Sequence, residues 1–421
     1  METKDTAETT AEDKKQPKMP VIRLGILAVV VSFALGLFWP TILEWFNPGP
    51  QTATAPRITM PKEGESIQTD EFSVRLFQYY LKRIPTGNLV VTPNNVTQCL
   101  NELKKLTTEE NAALFAPLHL CDKATQSSAS IHEGSLLFCN RADVKPGQRE
   151  NEAIFTAAFS TDLAMAHQEI NSAVTAYTNG AITHMFSGAS APRGTRMLAA
   201  AVTAFQADWY YPFFQHFTEE KVFHNADATR PRVSFMKADG NFRTVADPQG
   251  KWQAVALFMR NTPQGDADGA DSCALILILP TDADILSARP LAASLTAQDY
   301  STIRTALARA EEKPATILLP RIRELAGRLD MFPALHAMGL GALTKADAAP
   351  FPALSDATPF PLDGFYQQNV FFFCESADNV AVPAALEPSE KTLEFNRPFI
   401  WMLCPLTSPT PPYAMGVQEY M

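Results

Sequence analysis

The chain has 421 residues, 46% of them hydrophobic and 19% charged, with a formal net charge of −10 at pH 7. An acidic balance without any basic stripe excludes a nucleic-acid or anionic-surface binder, because such contacts need clustered Lys and Arg to displace counterions. The length permits one large domain or two.

Residues 1–23 form a polar leader with Lys14, Lys15, Lys18 and Arg23 near its end. The run from Leu24 to Leu43, LGILAVVVSFALGLFWPTIL, then carries no charge over 20 positions. At ~1.5 Å per residue such a helix spans about 30 Å, the hydrocarbon thickness of a bilayer. Residues 24–46 are therefore expected to be a transmembrane signal anchor, with Trp39 and Trp45 suited to the far interface. The basic residues ahead of it place the N-terminus in the cytoplasm. A cleaved signal peptide is the competing reading, disfavoured by the long leader and by Pro56 behind the small-residue site at 53–55. Residues 47–65, rich in Pro and Thr, read as a tether, and 66–421 as the folded domain, extracytoplasmic (periplasmic or extracellular). There disulfides can form, and Cys121 and Cys139 could close a local loop. No C-x-x-C pair occurs among the six cysteines, which argues against zinc or thioredoxin chemistry.

Within the domain, TDEFSVRLFQYYLKRI (69–84) has cap residues Thr69 and Asp70 ahead of an apolar helical stripe. LVVTP reads as a short strand, NNVTQCLNELKKL as a helix capped by Asn, and SLLFCN as a strand. A helix with Ile170, Val174 and Tyr177 on one face breaks at Asn179 and Gly180. From residue 196 long strands dominate: RMLAAAVTAFQ, RVSFMKADGNFRTVAD, WQAVALFMRN and SCALILILP. The helical stretch DYSTIRTALARAEE follows, then ATILLPRIREL and the helix DMFPALHAMGL, and the end is again strand-rich. Helices first and strands afterwards indicate an α+β fold rather than alternating βαβ units.

Catalytic constellations are missing. IHEGS (131–135) lacks the second His of a zinc-protease helix, SGAS (187–190) lacks the flanking glycines of a nucleophile elbow, and GLGALT (339–344) follows a helix rather than a strand. The seven histidines are dispersed. No enzyme activity, cofactor or metal is expected.

The C-terminal third resembles the serpins. TLEFNRPFIW (392–401) is similar to the family signature, and PYAMGVQEY (412–420) to its final strand. DEFSVRLF, GNLVVTPNNV, INSAVTAYTNGAI, AVTAFQADWYYPF, FMKADGNFRTV, ILILP and LLPRIRELAGRLDMFPALHAMGL match in the same order, so the resemblance covers about 66–421. It implies three β-sheets, eight or nine helices and an exposed reactive loop near the C-terminus. A target serine or cysteine protease would cut that loop, and the freed segment would insert as an extra central strand.

On this resemblance NVFFFCE is the strand leading into the loop, and 376–392 is the loop itself. Glu375 and Arg321 match an acidic and a basic residue that pair at the sheet opening, with Trp209 beside them, as a gate. The hinge comprises Glu375, Ala377, Asp378, Val380, Val382 and Pro383. With period two, Asp378, Val380, Val382 and Ala384 would turn inward on insertion. Asp378 stands where a small hydroxyl residue is usual, and Pro383 where Ala is usual. A buried carboxylate and a proline within a central strand both oppose insertion, and the loop is short for the family. These departures leave a non-inhibitory protein, its loop a substrate or binding element, as the alternative. Lower in the sheet, Thr92 and Asn94 of TPNN, with Thr203 and Gln367, stand at the sheet-opening cluster, Thr203 and Gln367 replacing the usual Asn and His. Cleavage is expected near Leu386, since Pro388 disfavours attack after Glu387. Lys391 could attract a trypsin-like enzyme.

Overall fold

A computed structural model describes residues 58, 67–122, 130–147, 153–186, 194–260, 273–345, 350–355, 361–377 and 391–421. These lie within one unit spanning Pro50–Met421. The leader and the uncharged run of 24–43 fall outside the described residues. Among the described residues no helix is long and apolar enough to cross a membrane.

Helix α1 (Glu71–Arg83) starts where Asp70 accepts a bond from the Ser73 amide, 2.8 Å, and buries Phe72, Leu76, Phe77 and Tyr80. Glu71 in its first turn and Lys82 and Arg83 in its last match the helix dipole. After strand β1 (Leu89–Val91), helix α2 (Pro93–Leu106) begins with Thr92 at the N-cap and proline in the first turn. No side chain caps it. The asparagines expected as caps, Asn94 and Asn95, lie inside the helix, and their amides are used elsewhere. The short α3 (Glu109–Ala112) leads to strands β2 (Ile131–Asn140) and β3 (Ile154–Ala157). Helix α4 (Leu163–Tyr177) buries Ile170 and Val174, but Tyr177, expected on the same face, is 39% exposed. Its ring lies on Gly134, where a Cβ would come within 2.9 Å of it. The helix ends as expected, with Asn179 and Gly180 both at positive φ.

The remaining elements are β4 (Met197–Gln206), β5 (Glu219–Val222), β6 (Arg232–Ala246), β7 (Trp252–Phe258) and β8 (Cys273–Pro280). They continue through α5 (Arg289–Ser294), α6 (Ala297–Arg309), β9 (Glu312–Pro320), β10 (Ile322–Asp330), α7 (Phe332–Ala337) and β11 (Gly364–Phe373). The chain closes with β12 (Thr392–Glu394), β13 (Phe399–Pro405) and β14 (Ala414–Gln418).

Among the described residues the strands form two hydrogen-bonded ladders, consistent with the expected architecture. One has five strands in the order β10-β11-β4-β2-β3, and the other nine, β1-β14-β13-β8-β7-β6-β9-β12 with β5 also on β6. The 15-residue β6 pairs serially with β5, β9 and β7, so two of the expected sheets run on in the longer ladder. The described residues hold seven α-helices, consistent with an α+β fold.

In the five-stranded sheet, side chains alternate between two faces. Leu136, Phe138, Leu198, Ala200, Val202 and Val370 meet α4 in one apolar cluster. The opposite face carries two more. One contains Leu137, Cys139, Ala199 and Phe365 with the α1, α2 and α6 side chains, and the other Ile131, Phe205, Phe371 and Phe373 with Trp209 and Trp401. Between these two clusters, the same face carries Glu133 and Ser135 on β2, Thr203 on β4, and Gln367 and Asn369 on β11. Strand register lines up Gly327, Asn369, Thr203 and Glu133 across four strands. Leu329, Gln367, Ala201 and Ser135 make the adjoining row. A polar belt thus divides the core beneath the middle of the sheet.

Candidate functional site

Strands β4 and β11 pair directly and in parallel over nine residue pairs, from Gly364 and Leu198 to Phe372 and Gln206. The Ala207 amide extends the seam by bonding the Phe372 carbonyl, 3.0 Å. Beyond β11 the chain stays attached to segment 209–213. The Trp209 indole donates to the Cys374 carbonyl at 2.8 Å, and the Ser376 amide to the Phe213 carbonyl at 2.8 Å.

At this end Arg321 and Glu375 meet. Arg321 Nη1 lies 3.0 Å from Glu375 Oε1, with side chains only 18% and 10% exposed. Thr218 Oγ1 donates to the same carboxylate oxygen at 2.8 Å, while Arg321 Nη2 donates to Ser234 Oγ at 2.8 Å. The pair is held between β6, the start of β10 and the strand entering the loop. Trp209 packs against Phe213 and Phe373 beneath it. Burial and then the neighbouring Glu375 raise the Cys374 thiol above its ordinary value, with Arg321 and Arg323 opposing them.

Deeper in the sheet, Thr92, Asn94, Thr203 and Gln367 come together in the polar belt, all fully buried. The Thr92 amide donates to Gln367 Oε1 at 2.8 Å, and Gln367 Nε2 to the Val90 carbonyl at 3.1 Å, tying the head of α2 to β11. Asn95, which sequence reasoning did not single out, donates to the Val202 carbonyl and to Thr203 Oγ1, and Ser135 Oγ donates to Asn95 Oδ1 at 2.6 Å. Asn94 Nδ2 donates to Glu133 Oε2 at 2.6 Å, and Thr203 Oγ1 lies 3.3 Å from Glu133 Oε1. The first turn of α2 is thereby stitched to β2, β4 and β11. Glu133 lies in IHEGS, which carries no metal-motif partner to draw notice to it. Its inward phase with Ile131, Ser135 and Leu137 was the available signal.

On the other face, the segment after α4 crosses β11. Arg328 of β10 lies over the Phe186 and Tyr366 rings, 4.6 and 4.5 Å from their centroids, and donates to the Met185 carbonyl at 2.8 Å. Gln368 Nε2 donates to the His184 carbonyl at 3.1 Å. Separating β4 from β11 therefore disturbs both faces.

Of the loop residues, Ala377 is exposed. Asp378, Val380, Val382, Pro383, Leu386 and Glu387 lie outside the described residues. Lys391 stands at the sheet edge, its carbonyl accepting from Thr316 N and its Nζ donating to Thr244 Oγ1. That ladder bond occupies its carbonyl. The expected bridge between Cys121 and Cys139 is not formed. Cys139 is fully buried on the core face of β2, where burial pushes its thiol up to about 12, whereas Cys121 is half-buried past the helical turn at 113–118.

A family model described as Serpin (serine protease inhibitor) matches residues 147–411. The chain is 22% identical over 315 residues to plasminogen activator inhibitor 1 of Mus musculus, covering 69% of this chain and 75% of that protein. It is 25% identical over 211 residues to a protein of Oryza sativa subsp. japonica whose name classes it as a non-inhibitory serpin, covering 49% and 53%. Among solved structures, maspin superposes with a TM-score of 0.72 at 14% identity, covering 84% of this chain and 97% of maspin. At such identity the superposition speaks for the fold alone.

Proposed function

The chain belongs to the serpin family, and from that premise we propose that it inhibits an extracytoplasmic serine or cysteine endopeptidase through residues 376–392. The direct β4–β11 seam carries this reading, because a loop leaving the end of β11 has its insertion slot immediately beside it. The target's nucleophile would attack the scissile carbonyl carbon, near Leu386. The peptide C–N bond then breaks, the new amine leaves on the C-terminal segment, and the loop stays bound as an acyl-enzyme. Entry of residues 376 onward between β4 and β11 would drag that enzyme along. Arg321 and Glu375 act as the gate, and the belt around Thr92, Asn94, Thr203 and Gln367 sets how readily the seam opens. The uncharged run at 24–43 supports a membrane tether with the domain outside, a topology that shaving of intact cells by protease reports.

Incubation of the detergent-solubilised chain with chymotrypsin-like, trypsin-like and cysteine proteases tests the reading. An SDS-resistant band at the mass of the protease plus the inhibitor less its released C-terminal peptide is the expected result. Loop cleavage with full release of active protease in every case would overturn it. The second reading, a loop that is cut or bound without insertion, is favoured by Asp378 and Pro383 at inward or ladder positions of the incoming strand.

A further inference from the structure

The polar belt holds one ionisable group that loop capture does not use, the carboxyl of Glu133. It projects from β2 and touches two other elements, with Asn94 of α2 on one oxygen and Thr203 of β4 near the other. Both partners are neutral, so a charge here would be left without a counter-ion in direct contact. We propose that Glu133 is a proton-operated latch of the five-stranded sheet. Protonated, it joins β2 to α2 and β4. When that junction opens to water, the carboxyl ionises and the sheet stays loosened.

The surroundings support this assignment. Burial raises the Glu133 carboxyl to about 8, outweighing the opposing bonds from Asn94 and Thr203. Glu133 is half-buried, its carboxyl turned onto Asn94 and Thr203 in the wall of a cavity of about 700 Å³ through which water would reach it as the junction parts. From α2 the cavity receives Glu102, Lys104 and Lys105, with Asp122 behind them and the Tyr177 ring from α4. His132, its neighbour on β2, lies in the opposite phase, and burial lowers its value. On the core side are Cys99, Cys273 and Tyr413, all raised foremost by burial, with the Glu133 charge as a further cause. None of these three supplies a positive charge.

The sign follows from proton binding. With the sheet closed the carboxyl keeps its proton up to about 8, whereas exposed to water it loses the proton above its ordinary 4.5. Between those values the open state binds fewer protons, so opening becomes more favourable as pH rises, by up to about tenfold per pH unit, and levels off above them. Acid tightens the latch. The effect belongs to the sheet itself and holds whether or not a loop strand enters it.

Amide hydrogen exchange of the full chain, corrected for intrinsic rates over about pH 5 to 9, tests the latch. In the wild type the opening constants of β4 and the first turn of α2 should climb up to about 8 and then flatten. In Glu133→Gln, which keeps an acceptor for Asn94 but cannot ionise, they should stay level. Glu133→Leu is the second non-titrating variant and should also be level. A flat wild-type profile overturns the proposal without recourse to any variant, as does an unchanged slope in either substituted chain.

Discussion

The Glu375 carboxylate sits where the strand leading into the loop leaves the sheet, and it accepts from a guanidinium and a hydroxyl at once. With both charged side chains largely buried, solvent screening is weak, and a charge-assisted bond of this kind contributes about 1.5–3 kcal/mol. Reversing one charge, by Arg321→Glu or Glu375→Arg, sets like charges together and should open the sheet end to another molecule's loop. We expect faster heat-induced polymerisation in either single variant and partial recovery of the monomer in the double one, read by native gels and size-exclusion chromatography. Equal behaviour of all three variants would deny the coupling. The Arg321–Glu375 contact was anticipated from the resemblance alone, since 54 residues separate the partners and no local pattern relates them. Glu133 and Asn95 show what single-residue reading misses. An asparagine at the head of a helix looks like a cap, and only the placement of β4 beneath α2 shows that its amide has a strand to bind.

At the scale of elements, the β4–β11 seam decides whether the loop can become a strand. Insertion must break nine parallel residue pairs, unhook Ser376 from Phe213 and lift the segment that Arg328 holds across β11. New ladder bonds on both sides of the entering strand offset that cost only where each residue can donate and turn an apolar side inward. Asp378 fails the second condition and Pro383 the first. On the second reading, without insertion, cleavage of the loop should raise the thermal midpoint only slightly in the wild type, whereas an inserting inhibitor should show a large rise. Asp378→Thr combined with Pro383→Ala should enlarge the rise by several degrees, since about 1 kcal/mol shifts the midpoint of a large domain by about 2–4 °C. A large rise in the unsubstituted chain, or none added by the two changes, would show that these residues do not hinder insertion. The elements themselves were legible wherever period and caps agreed, as in α1 behind Asp70 and in the strands from residue 196. Sheet membership was less so. Nothing in RVSFMKADGNFRTVAD says that one strand will pair with three partners, because that depends on where β5, β7 and β9 arrive.

For the whole molecule, the proposed membrane tether would put the uncharged run and the acidic domain in different solvents. Twenty uncharged positions behind Lys14, Lys15, Lys18 and Arg23 favour insertion with the basic end inside. Under that proposal the Pro- and Thr-rich stretch of 47–65 would serve as the tether, since Pro-rich chain extends by ~3.1 Å per residue. An inhibitor so tethered would meet proteases only on the outer side of its membrane, and its local concentration there would be set by the anchor rather than by dilution. Protease added to intact cells should remove everything after about residue 47 and leave a membrane-bound fragment containing the leader, while opened cells should lose the leader as well. Replacing Lys14, Lys15, Lys18 and Arg23 together by Gln should weaken the orientation and produce a mixed population, because the charge difference across the run sets its direction. Loss of only the first 20 or so residues from intact cells would reverse the topology. Release of the whole domain into the medium by a single cut near residue 56 would instead make the run a cleaved signal and leave the inhibitor free to diffuse.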